Sequence, residues 1–88
     1  MARLYKVDGT TVDVEPKNGK DFSCEELQAF VGGFFEVVPV LGSKYLIVNE
    51  NGRMMNLARN ERMSALMFGE IIGDVVGDAL LCDRCEIL

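Results

Sequence analysis

The segment Phe22-Ser23-Cys24-Glu25-Glu26-Leu27 restricts the fold more than any other part of this chain. Ser23 and Glu26 have the S-x-x-E spacing of a capping box, in which a hydroxyl and a carboxylate each satisfy an orphan backbone N–H at a helix start. Phe22 before the cap and Leu27 at the fourth helical position fit a hydrophobic staple. Leu27, Phe30 and Val31 then recur at i, i+3, i+4 on one face. Gly32-Gly33 stops the segment, because glycine takes the left-handed conformation after a helix at little cost. The pattern predicts a short helix over 24–31, with strand-forming sequence on both sides of it.

Before that helix, Tyr5 and Val7 alternate with Lys6 and Asp8, and Val12 and Val14 alternate with Thr11, Asp13 and Glu15. Asp8-Gly9 between them suits a tight turn, so a β-hairpin is expected over about 3–15. After the helix, 34–38 is rich in strand formers and is expected to end at Pro39. Tyr45-Leu46-Ile47-Val48 is nearly all apolar, as in a strand buried on both faces. Asn51-Gly52 is a strong hairpin turn signal, so 53–55 are expected to return as a short strand. Asn60 can cap a second helix, with Glu61 in its first turn, Met63, Leu66 and Met67 as its stripe, and Gly69 as its end. Residues 71–78 are apolar but broken by Gly-Asp pairs, and 79–82 read as a final buried strand. The order ββ-α-β-β(β)-α-β implies an α+β fold: a small, mostly antiparallel sheet of about five to six strands with two short helices packed on it.

With 88 residues, of which 49% are hydrophobic and 26% charged, the chain reads as one globular domain, 1–88, with 83–88 as a flexible tail. Its net charge of −5 argues against extended nucleic acid as a partner, because binding a phosphate backbone needs a basic face. No stretch approaches the roughly 20 apolar residues of a membrane span. The N-terminal run has no apolar core of a signal peptide. Three cysteines are an odd number for a disulfide framework. A cytoplasmic protein with no membrane partner is the expectation.

The chain has no histidine, which removes the commonest general acid/base and the commonest zinc ligand. Glu25-Glu26 and Asp74/Asp78 read most simply as helix-start and turn residues. Cys82-Asp83-Arg84-Cys85 has C-x-x-C spacing, but Cys24 is the only further cysteine and tetrahedral zinc needs four ligands. Two ordinary thiols are the simpler reading. Gly32-Gly33 matches no phosphate-binding loop. No catalytic residues, metal or cofactor are therefore expected. Arg53, Arg59 and Arg62 have two readings: an anion site at the second helix start, or solvated charges offsetting Glu50 and Glu61. Met54-Met55 beside an exposed turn is either core filler or an adaptable contact patch.

One pattern runs through the chain: Leu27-Gln28, Val31-Gly32-Gly33, Glu36-Val37-Val38, Ile47 to Gly52, Leu57, Asn60, and Val76 to Leu81. It resembles an uncharacterised family of small domains, of unknown function, found in phages, plasmids and bacteria that carry mobile elements. The likeness spans about 2–82 and is most specific from Asn49 to Asn60. It implies a setting, a phage or conjugative-element accessory protein in a bacterial cytoplasm, where many proteins bind host defence components or their signals. Ala58-Arg59 and Glu61-Arg62-Met63 depart from the small residues, proline and alanines common in the family, so ligand identity does not transfer.

The combined expectation is a non-enzymatic binding module for a small anionic ligand, such as a nucleotide signal, or for a host protein. Asn49, Glu50 and Asn60 would supply hydrogen bonds, and Arg53, Arg59 and Arg62 positive charge. The alternative is an assembly domain that forms a homo-oligomer through strand edges or Met54-Met55.

Overall fold

The computed structural model describes residues 2–40, 42–69 and 74–87. Five strands form one antiparallel sheet: β1 (Ala2–Tyr5), β2 (Thr11–Val14), β3 (Phe35–Val40), β4 (Lys44–Asn49) and β5 (Ala79–Asp83), in the order β2-β1-β5-β4-β3. Helix α1 (Cys24–Val31) joins β2 to β3, and α2 (Glu61–Leu66) lies between β4 and β5. The α+β expectation holds, and the two helices take opposite faces of the sheet.

Helix α1 forms where its signals place it. The Ser23 hydroxyl accepts the Glu26 N–H at 3.1 Å, and the Glu26 carboxylate accepts the Ser23 N–H at 2.9 Å. Gly32 ends the helix at φ 76°, its N–H returning to the Gln28 carbonyl. Leu27, Val31 and Phe22 pack with Ile47, Leu80 and Cys82 from one face of the sheet. Phe22 and Phe30 meet edge to face at 5.7 Å. On the other face Met63 and Met67 pack with Leu46, Ala79, Val40 and Val75. Leu46 and Ile47 are adjacent and both fully buried, one toward each helix, so β4 is buried on both faces. Burying such side chains contributes about 1.5–3 kcal/mol each.

Five local expectations are corrected. Strand β3 runs through Pro39 to Val40; it is an edge strand, where a missing N–H breaks no interior ladder. Residues 53–55 form no strand, because the chain there winds through consecutive turns. Leu66 is half-exposed, and Ser64 takes its place in the buried face of α2. Helix α2 closes at Leu66, before Gly69. Residues 84–86, read as tail, form a 3-10 turn with Glu86 buried, and Ile87 packs on the α1-side core. The apolar run at 70–73 lies outside the described residues.

Candidate functional site

The site begins at the end of β4. Asn49 is buried, and its side-chain amide donates to the Val31 carbonyl at 3.0 Å, tying the strand to the C-terminal end of α1. Its side-chain oxygen accepts the Asn51 N–H at 2.8 Å, the Asx turn that asparagine favours. The chain then winds through consecutive turns: Met55 N–H donates to the Asn51 carbonyl, Asn56 N–H to Arg53, and Leu57 N–H to Gly52. A two-residue hairpin turn of the type favoured by Asn-Gly needs positive φ at both residues. Neither Asn51 nor Gly52 adopts it. The glycine is required for another reason: a Cβ at Gly52 would stand 2.8 Å from Val76 Cγ2.

Residues 74–76 form the facing wall, held from the other side by α2. Val75 O accepts the Asn60 N–H at 2.7 Å, and the Ser64 hydroxyl bonds both the N–H and the carbonyl of Val75. Arg59 and Val76 form an isolated antiparallel bridge. Between this wall, the 49–54 turn and the exposed ends of β3 and β4 lies a groove of about 440 Å³. Its floor is Val38, Leu46, Val48, Val75 and Val76, and its rim carries Glu36, Glu50, Asn51, Arg53, Met54 and Asp74.

Of the six residues expected in a ligand site, Asn49, Glu50 and Arg53 line this groove. Glu50 is exposed there, and its N–H donates to the Phe34 carbonyl. Arg53 reaches across to the Asp74 carbonyl at 3.1 Å. Asn60 is fully buried: it accepts the Met63 N–H at 3.0 Å and donates to Tyr5 O at 2.8 Å and Gly77 O at 3.0 Å, so its side chain holds the fold. Arg59 pairs with Glu61 and, at 3.0 Å, with Asp74, and these contacts raise its pKa, Glu61 most. Arg62 lies apart, in a shallow depression with Arg3, Tyr5 and Leu66. The three arginines are therefore not gathered at one site. Glu36, Val38, Val48, Asp74, Val75 and Val76 also line the groove, and the sequence reading places none of them in a ligand site. Alternation along β3 puts Glu36 and Val38 on one face, a signal present in the sequence.

Carboxylates outnumber guanidinium groups on the rim three to one. Asp74 is matched by Arg59 from outside the groove. Glu36 and Glu50 make no ion pair among the described residues. Cys82 is buried, donates weakly to the Tyr45 carbonyl at 3.7 Å, and has its pKa pushed up to about 12 by burial, while Cys24 and Cys85 are exposed free thiols. Asp78 accepts the Val7 N–H. Among the described residues no three Cys, Asp or Glu side chains converge to hold a metal ion, and no helix is long and apolar enough to cross a membrane.

The fold and groove define a small α+β domain, a five-stranded antiparallel sheet between two short helices, with a lined groove on its surface. The chain belongs to the DUF3846 family, described as a domain of unknown function, whose family model matches residues 3–86. No curated protein and no solved structure matches it.

Proposed function

We propose that the domain is a non-enzymatic binding module, an accessory protein of a phage or conjugative element acting in a bacterial cytoplasm, and that a side chain of a host protein seats in the groove. The observation that carries this reading is the groove itself: an apolar floor, a polar rim and walls pinned by buried hydrogen bonds. Such a combination is what a recognition pocket needs. A nucleotide or other small anion is less well matched, because Arg59 is neutralised and Arg62 lies elsewhere.

Thermal melts against nucleotides, amino-acid amides and short peptides test the reading. A ligand at 100-fold its Kd adds about 2.7 kcal/mol of stability. Stabilisation that disappears in Val48→Trp, which fills the groove, supports the proposal. Stabilisation by nucleotides alone would restore the anionic ligand, and stabilisation that survives Val48→Trp would place the site elsewhere. Assembly of identical copies is a second reading, favoured by Met54, which is 85% exposed at the rim, and by the open edge of β3. Light scattering decides it: a concentration-independent monomer counts against assembly.

A further inference from the structure

We infer that the groove takes a cationic side chain, lysine or arginine, from a partner protein; this rests on the groove being the binding site. The argument is charge complementarity over an apolar floor. Glu36 stands opposite Val48 in the β3–β4 register, and the Glu50 N–H bond to Phe34 O continues that ladder by one more pair. Glu36 and Glu50 are therefore diagonal neighbours at one end of the groove, roughly 7–8 Å apart across the strands. Like charges at that spacing repel, and among the described residues neither makes an ion pair. Every other charged group on the rim is engaged: Asp74 by Arg59, and Arg53 by the Asp74 carbonyl. The unmatched charge at the site is thus negative and lies at one end of it.

Val38, Val48 and Val76 form the adjoining floor. A lysine or arginine can lay its aliphatic stem along such a floor while its charged head stays at the wet rim. An acidic or phosphorylated group would instead meet the two carboxylates. A purely apolar side chain would fill the floor and leave them unmatched.

The test is a two-dimensional NMR titration of the full chain with three probes: the Nα-acetyl methylamides of lysine, norleucine and glutamate. The lysine probe is expected to shift the amide signals of 46–54 and 74–76 and to bind about three- to tenfold more tightly than the norleucine probe, the ratio that two exposed ion pairs supply. The double variant E36Q/E50Q, which alters only exposed side chains, is expected to bring the lysine probe to the norleucine level. Equal or tighter binding of norleucine or glutamate in the groove overturns the cationic inference and leaves the groove as the site. Absence of shifts at these residues with all three probes overturns both.

Discussion

The side-chain amide of Asn60 donates to the Tyr5 carbonyl at 2.8 Å, joining the start of α2 to the end of β1 across 55 positions of sequence. The same nitrogen reaches Gly77 O, and the side-chain oxygen caps α2 at Met63 N–H. One fully buried amide thus ties together three separate parts of the chain. Asn60→Ala removes the cap and takes a donor from the buried Gly77 carbonyl and the part-buried Tyr5 carbonyl, so a loss of about 2–4 kcal/mol is expected by urea denaturation. Asn60→Ser, which keeps a capping oxygen, should recover about 1 kcal/mol of it. Equal stability of wild type and Asn60→Ala would contradict this role.

Asn49 and Glu50 are sequence neighbours with opposite duties. Asn49 is buried and bonds Val31 O and Asn51 N–H. Glu50 is exposed on the groove rim. Asn49→Ala should cost about 1–3 kcal/mol through the unsatisfied helix-end carbonyl. Glu50→Ala should change stability by no more than about 0.5 kcal/mol, as surface substitutions do. Denaturation midpoints of the two variants check the contrast; a large loss in Glu50→Ala would mean that the residue holds the fold.

Asp83 accepts from Lys44 at 2.6 Å, and this bond, more than its other contacts, holds its carboxyl down to about 2 from the ordinary 3.8. A depressed carboxyl stabilises the fold above its unfolded pKa, and the contribution is lost as pH falls through the folded value. Glu26, held low by the Ser23 N–H, acts in the same direction. Stability should therefore fall between about pH 4 and pH 2, and less steeply in Asp83→Asn than in wild type. Urea midpoints measured across that range test it; identical slopes would remove Asp83 from the acid response.

Much of this was legible because it is local. The Ser23–Glu26 box, the Gly32 stop and the Asn60 cap are contacts within a few residues, and each forms as its spacing implies. The groove was legible only in part. Asn49, Glu50 and Arg53 lie on one turn, but the opposite wall, 74–76, comes from beyond α2 and depends on tertiary pairing with Arg59, Asn60 and Ser64. The Asn51-Gly52 signal misled because a side chain, Asn49, captured the Asn51 N–H and turned the chain another way. Arg53 and Arg59 both meet Asp74, but Arg62 does not join them, because proximity in sequence near a helix start does not fix which side of it each residue faces.

Gly52 offers a direct check on that turn. A methyl there would stand 2.8 Å from Val76 Cγ2 and 3.4 Å from the Asn49 carbonyl oxygen. Gly52→Ala should destabilise by about 1–3 kcal/mol, as overpacking does, and should perturb NMR signals on both groove walls. The double variant G52A/V76A, which removes the opposing methyl groups, is expected to regain part of the loss; no recovery would place the strain elsewhere.

Pro39 guards the β3 edge of the sheet. Glu50 N–H donates to Phe34 O, so alternation along the ladder assigns the β3–β4 hydrogen bonds to the pairs Glu36–Val48, Val38–Leu46 and Val40–Lys44. Pro39, opposite Tyr45, falls between bonded pairs, and its nitrogen faces away from β4 in the same row as the backbones of Phe35 and Val37. An outward row of free N–H and C=O groups invites pairing with another strand, and a proline in it removes one donor. Pro39→Val restores that donor. The monomer's stability should change by no more than about 1 kcal/mol, while light scattering should show association that grows with concentration beyond that of wild type. Unchanged scattering in Pro39→Val, at concentrations where wild type is monomeric, would show that the edge is protected by something other than this residue.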